Sequence, residues 1–219
     1  MPDYPRADER ASMVARQIVA RGITNPKILS AMQQIPRHIF VPPPYDRSAY
    51  DDNPLPIGSG QTISQPYIVA LMTELLDPQP GDRILEIGAG SGYQAAILAS
   101  LVNRVITIER LSAVAERART TLLSLGIRNV DLVIGDGTLG YPGRAPYDGI
   151  IITAAAPHLP APLIEQLAQG GRLVVPVGGR DFQELVVFQK NHGQLSETRY
   201  GGVRFVPLIG KYGWENEDL

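Results

Sequence analysis

Apolar positions change period along the chain, and the changes divide it into parts. Residues 8–21 carry apolar side chains at helical spacing. Met13, Ile18 and Val19 are set to face inward, and Gly22 stands where a helix C-terminus favours glycine. Asn25-Pro26 has the form of a cap followed by a first-turn proline, opening a second helix to about residue 35. Pro36 ends it. No period holds from 36 to 57, where Pro42, Pro43, Pro44, Pro54 and Pro56 interrupt the chain and Tyr45 and Tyr50 lie between them. A loop this long in a compact domain is usually functional or disordered, and the tyrosines favour function. Residues 58–66 are polar and predict a flexible segment, and Pro66 starts a helix over 67–76.

The pattern then alternates. Short apolar runs at 84–87, 104–108, 130–134, 147–153 and 172–177 predict buried strands, and 94–101, 112–125 and 162–167 predict helices between them. Such alternation implies a Rossmann-like α/β fold, a mostly parallel sheet with helices on both faces. Right-handed crossovers put every parallel strand's C-terminal end on one rim, where open α/β sheets bind ligands. Runs at 184–189 and 199–206, joined by Asn191-His192-Gly193, predict an antiparallel hairpin closing one sheet edge. The acidic tail from Glu215 to Leu219 is expected to fray. The chain reads as one domain over 1–219, with a helical and loop extension over 1–60 and the α/β core with its C-terminal hairpin over 61–219.

Composition narrows the function. At 219 residues and 44% hydrophobic, the chain can bury a sizeable core. Net charge is −2 with lysines and arginines scattered, which argues against a nucleic-acid groove. The first residues are polar, and no apolar run approaches the roughly 18 residues of a membrane span. The expectation is a cytoplasmic monomer that binds neither nucleic acid nor membrane. Cysteine is absent, which removes disulfides, thiolate ligands and a cysteine nucleophile. His38, His158 and His192 are the three histidines, and no two have ligand spacing, so no metal is expected. A surface or structural role suits His158 better than a ligand role.

Chemistry concentrates in the stretch Arg83-Ile84-Leu85-Glu86-Ile87-Gly88-Ala89-Gly90-Ser91-Gly92-Tyr93. It passes from strand through three glycines into a helix start, which makes a nucleotide-binding corner. A dinucleotide fingerprint requires a third glycine where Tyr93 stands. The Gly-x-Gly-x-Gly form preceded by Glu86 resembles motif I of the S-adenosylmethionine (SAM) methyltransferases, and an acid there suits the ammonium of the methionine moiety. Two more acids end the next two strands. Glu109 lies about 20 residues past the glycine turn, where a ribose-binding acid belongs, and Asp136 is placed to accept from an adenine amino group. Each alone would read as a solvated loop acid; the three together read as a SAM site. Ser64 precedes the helix at 67–76, where a hydroxyl commonly caps free N–H groups. No Gly-x-Ser-x-Gly elbow surrounds it to make it an acyl-transfer nucleophile.

Five stretches carry a more specific resemblance. Pro36-Arg37-His38-Ile39-Phe40-Val41-Pro42, Gly60-Gln61-Thr62-Ile63-Ser64-Gln65-Pro66, the stretch Leu85 through Tyr93, Gly135-Asp136-Gly137, and Arg204-Phe205-Val206-Pro207-Leu208 together resemble the protein-L-isoaspartate (D-aspartate) O-methyltransferases along nearly the whole chain. Ala89 departs from the threonine many members carry there. The resemblance implies a SAM-methyltransferase sheet rearranged near its C-terminal strands, with no metal. It implies Ser64 as the active-site serine. Gln61, Thr62, Ile63, Glu86, Gly88, Ala89, Gly90, Ser91, Glu109, Arg110, Asp136 and Gly137 would hold SAM and its product S-adenosylhomocysteine. Ile57, Val206, Pro207 and Leu208 would cradle an isoaspartyl-containing protein or peptide, with acceptance of D-aspartyl residues open.

The implied reaction methylates a free α-carboxylate and starts repair through a succinimide. A carboxylate is ionised at neutral pH, so a histidine-poor chain can perform it. Two alternatives stand beside it: a SAM-dependent N-methyltransferase, and a non-catalytic SAM-binding adaptor for damaged peptides. The first calls for Asn/Asp-Pro-Pro-Tyr. Pro43-Pro44-Tyr45 follows Pro42, and the loop after the fourth strand reads Thr153-Ala154-Ala155-Ala156-Pro157, without a side chain suited to an amine.

Overall fold

The computed structural model describes residues 4–215. Helix α1 (Ala7–Met13) runs on through a wide π-type turn, Val14–Ile18, and a tight 3-10 turn, Val19–Arg21, so the helix expected over 8–21 is one rod of changing pitch. Met13, Val14 and Ile18 are buried, but Val19 is 43% exposed. The change from the wide to the tight turn carries Val19 off the buried face, against the expectation from regular spacing. Gly22, at φ 91°, ends the rod in the left-handed conformation glycine favours. Asn25 caps α2 (Pro26–Gln34) by accepting from Lys27 N at 3.0 Å, with Pro26 in the first turn.

The proline-rich stretch is two 3-10 turns, Arg37–Phe40 and Pro43–Ser48, followed by a hairpin. Strands β1 (Leu55–Gly58) and β2 (Gln61–Ile63) pair antiparallel. Ser59 and Gly60 both take positive φ, the geometry a two-residue hairpin requires. The segment expected to be flexible is therefore ordered. Leu55, Ile57 and Ile63 join the core that holds α1, α2 and the start of the helix after the glycine turn. The boundary drawn between residues 60 and 61 falls inside this turn.

Seven strands form the main sheet: β3 (Arg83–Ile87), β4 (Arg104–Glu109), β5 (Val130–Ile134), β6 (Tyr147–Ile152), β7 (Leu167–Gly178), β8 (Gln183–Asn191) and β9 (Gln194–Val203). Their order is β5-β4-β3-β6-β7-β8-β9; β3 to β7 run parallel, and β8 and β9 pair antiparallel at one edge. Helices α3 (Pro66–Leu76), α4 (Tyr93–Ala99), α5 (Ser112–Ser124) and α6 (Ala161–Gln166) connect them. Leu85, Ile87, Ile106, Ile108, Ile150 and Ile152 pack on one face, and Ile84, Val105 and Ile151 pack on the other with Met72, Leu76 and Leu98. Both faces are covered, which is why these strands read as unbroken apolar runs. Strand order reverses at β3, so the crevice for a ligand opens at Gly88.

Strand β9 begins earlier than expected and ends before Arg204. Nearly all its residues are exposed, so it carries no apolar period. Residues 204–208 leave the sheet and return along the rim: Ala155 N donates to Val206 O and Leu208 N to Ala155 O, each at 2.8 Å. The acidic tail expected to fray lies outside the described residues beyond Glu215. Among the described residues no helix is long and apolar enough to cross a membrane, and no group of His, Asp or Glu is arranged for a metal ion.

Candidate active site

The corner forms because its glycines reach conformations other residues avoid. Gly88, Gly90 and Gly92 all have positive φ. At Gly88 a Cβ would also sit 2.6 Å from Thr153 Oγ1. That hydroxyl lies 2.6 Å from Gly88 O and 2.9 Å from Ile87 O, tying the end of β6 to the turn. Ser91 Oγ accepts from Tyr93 N at 3.2 Å at the start of α4. Tyr93, the residue that breaks the dinucleotide pattern, is buried. Its ring lies 5.1 Å from the Arg37 guanidinium and meets Phe40 edge-on at 5.4 Å. The N-terminal extension is thereby packed against the corner.

Two adjoining hollows open above the turn. The larger, about 270 Å³, is lined by Ser59, Arg110, Leu111, Gly137 and the segment Val206 to Ile209. A recess of about 50 Å³ is lined by Thr62, Ile63, Ser64, Ala89, Gly90 and Ser91. Gln61, Gly88, Glu109, Ala154 and Val206 belong to both. A third hollow of about 530 Å³ is lined by Ile57, Pro42, Pro43 and Val114 and shares Gly90 and Ser91 with the recess. It is the roomiest of the three, but Ser64, Glu109 and 206–208 all lie on the first two. Ile57 lines this third hollow and not the first two, where 206–208 lie.

Glu109 is 7% exposed and held from both sides: Gly90 N donates to Oε2 and Leu111 N to Oε1, each at 3.0 Å. Each carboxylate oxygen keeps a lone pair, and the side chain lines both hollows. That donor-free, doubly accepting geometry suits two neighbouring ribose hydroxyls. The two hollows share this side chain and the glycine turn as walls.

Ser64 makes no side-chain hydrogen bond among the described residues. Gln65 occupies the N-cap of α3 without a side-chain cap, and Pro66 follows it. The capping reading of Ser64 therefore gives way to a hydroxyl left available in the recess.

Two predicted residues lie elsewhere. Glu86 lines neither hollow. Strand alternation turns it away from Leu85 and Ile87, into full burial, and neither of its oxygens has a hydrogen-bond partner among the described residues. It is therefore set back from the hollows into which the resemblance to motif I would put the methionine ammonium. Burial pushes its carboxyl up to about 8; Glu109's charge adds to the shift and the neighbouring Thr107 hydroxyl opposes it. Asp136 also stays out of the hollows. Its Oδ1 accepts from Thr138 N at 2.9 Å and Thr138 Oγ1 at 2.7 Å, and its Oδ2 from Lys211 N at 2.8 Å. Gly137 alone of that pair reaches the cavity.

Sequence reasoning missed Leu111, Thr153, Ala154, Ser59 and Ile209. For Thr153 and Ala154 the one available signal was position, since they follow the fourth parallel strand at the ligand-binding rim.

Glu86 gives a pH prediction. The folded value near 8 lies above the ordinary carboxyl value of 4.5. The folded state thus holds a proton that the unfolded chain releases between those values. This stabilisation is full below about pH 4.5 and is lost as pH rises through about 8. Glu86→Gln should therefore gain more than about 1 kcal/mol on the wild type between pH 5 and 9. Denaturant melts of both proteins across that range check it; parallel stability curves would refute it.

A doubly wound sheet whose switch point carries this glycine turn, with an acid presenting two acceptors beside it, belongs to the Rossmann-like SAM-dependent methyltransferases. Comparison with known proteins narrows the class. The family model for protein-L-isoaspartate(D-aspartate) O-methyltransferase matches residues 8–213, and the chain belongs to that family. It is 66% identical over 213 residues to the protein-L-isoaspartate O-methyltransferase of Methanoregula boonei, covering 97% of this chain and 98% of that one. The Methanospirillum hungatei enzyme is 61% identical over 212 residues, with 97% and 98% covered. A solved protein-L-isoaspartate O-methyltransferase superposes with a TM-score of 0.84 at 31% identity, covering 93% of this chain and 67% of that one. A Plasmodium falciparum beta-aspartate methyltransferase structure, in complex with S-adenosyl-L-homocysteine, shares the fold at a TM-score of 0.79 and 24% identity, with 94% and 99% covered.

Proposed function

We propose that Ser64 orients the free α-carboxylate of an L-isoaspartyl residue for methylation at the junction of the two hollows. The chain is a SAM-dependent protein carboxyl O-methyltransferase of protein repair. The observation that carries the residue assignment is the uncommitted Ser64 hydroxyl in a recess that shares Glu109 and Val206 with the larger cavity.

Glu109 and the loop 88–91 hold the SAM side, with Arg110 and Gly137 at its margin. Gln61, Thr62 and Ile63 wall the recess, and Val206, Pro207 and Leu208 form the substrate side. When bound there, SAM supplies a methyl group on a sulfonium, which leaves as a neutral thioether. The acceptor is already an anion at neutral pH, so the site needs no base to raise its nucleophilicity. Its task is alignment. The Ser64 hydroxyl donates to one carboxylate oxygen and leaves the other free to attack. A neutral donor orients the anion without quenching it, as a bidentate arginine would.

The N-methyltransferase alternative lacks an amine-holding group at the rim. Thr153 is committed to the Ile87 and Gly88 carbonyls, and Ala154 to Ala156 offer no side-chain acceptor. The same reading has the chain working as a cytoplasmic monomer on isoaspartyl-bearing proteins, without nucleic acid or membrane.

Calorimetry with S-adenosylhomocysteine and an isoaspartyl peptide, separately and together, tests the joint site. Glu109→Ala should weaken S-adenosylhomocysteine by roughly 1.5–3 kcal/mol, the range for hydrogen bonds to a charged group. Unchanged affinity would remove Glu109 from the ribose role, and failure of both ligands to bind would overturn the reading.

A further inference from the structure

Asp136 stands at the end of β5, yet its carboxylate faces the C-terminal loop. Thr138, fully buried, donates its hydroxyl to Asp136 Oδ1 and accepts from Tyr212 N at 3.1 Å, while Asp136 Oδ2 takes Lys211 N. The loop closes on itself as Trp214 N donates to Leu208 O at 2.8 Å and Gly210 N to Trp214 O at 3.2 Å. A Cβ on Gly210 would fall onto the Asp136 carboxylate, so glycine permits the close approach. Immediately before Gly210 come Leu208 and Ile209, which line the larger hollow; opposite them, Gly137 follows Asp136.

We infer that Asp136 is a positioning residue: it clips the loop 208–214, and through it the Leu208–Ile209 wall, against the cofactor-side rim at Gly137. The inference rests on the proposed reading of that hollow as the joint SAM and isoaspartyl site. The Lys211 and Tyr212 amides are fixed by Asp136 and by the hydroxyl it orients, and linked hydrogen bonds of this kind strengthen one another. The carboxylate therefore spans two walls that meet different ligands. Removing the clip should loosen the substrate wall while leaving Glu109 and the glycine turn in place.

Asp136→Asn separates the two halves of the contact. Its Oδ1 can still receive both Thr138 donors and keep the turn at Gly137, but its amide N–H₂ would face Lys211 N–H, donor against donor. In the protein without substrates, exchange of the Lys211 and Tyr212 amides should quicken by at least about tenfold. Emission from Trp214, the one tryptophan of the chain, should shift with it. The KM for an isoaspartyl peptide should rise about tenfold or more, while calorimetric affinity for S-adenosylhomocysteine changes by less than about threefold. Gly210→Ala, whose new Cβ would meet the Asp136 carboxylate, should give the same split. Wild-type exchange rates at both amides would overturn the inference. So would a tenfold loss of S-adenosylhomocysteine affinity with peptide KM unchanged, which would mean the carboxylate acts on the cofactor directly. A wild-type protein that ignores isoaspartyl peptides would sink the proposed function instead, and the exchange rates would still decide on the clip.

Discussion

Ser64→Ala should lower kcat by about 10²–10³-fold, the loss typical of removing one preorganised donor from a reacting oxygen. S-adenosylhomocysteine affinity and thermal stability should stay near wild type. The hydroxyl makes no internal hydrogen bond among the described residues, and α3 starts at Pro66 with Gln65 at its N-cap and no side-chain cap. Its removal therefore leaves no buried group unsatisfied. A capping serine would behave oppositely, losing about 1 kcal/mol of stability and keeping its turnover. Initial rates, calorimetry and melts on one preparation separate the two. Unimpaired turnover in Ser64→Ala would end the orienting role. Ser64→Thr, which keeps the hydroxyl, should recover part of the rate.

The parts of the fold legible from sequence are those where burial imposes a pattern. Strands β3, β4 and β6 are covered on both faces and appear as apolar runs, and the glycine corner announces itself through three residues that a strand-to-helix turn needs. The β1–β2 hairpin was hidden because its strands are short and Pro56 lies in one of them, so the Ser59-Gly60 turn signal had no evident strands to join. β9 was misplaced because a strand exposed on both faces has no reason to alternate.

At the site, the glycine turn, Glu109 and the segment around Ser64 were legible because a rim position plus a residue type suffices to place them. Glu86 and Asp136 were not. Glu86 occupies the motif's acid position, but the alternation of β3 takes its side chain to the other face of the sheet. Asp136 is claimed by Lys211, 75 residues away in sequence. No local pattern encodes a hydrogen bond of that span.

Peptides containing L-isoaspartate should be methylated at least about a hundredfold faster than the same peptides with normal aspartate. An isoaspartyl link leaves the α-carboxylate free one bond from the main chain. A normal aspartyl carboxylate sits on an extra methylene, and about 1 Å of displacement can cost roughly a hundredfold in rate. The product ester lies beside a backbone amide whose nitrogen can attack the new carbonyl and expel methanol, closing a succinimide that reopens partly to normal aspartate. Label from methyl-labelled SAM should therefore be released as volatile methanol within hours at mildly alkaline pH. The methylation rate should also lack a basic limb near pH 7. His38 is engaged by the Tyr50 hydroxyl at 2.7 Å, away from both hollows, and burial lowers its pKa. Neither hollow contains a histidine that must lose a proton. Equal rates on the two peptides, or label that survives base, would reject the carboxyl-repair reading in favour of methylation at nitrogen.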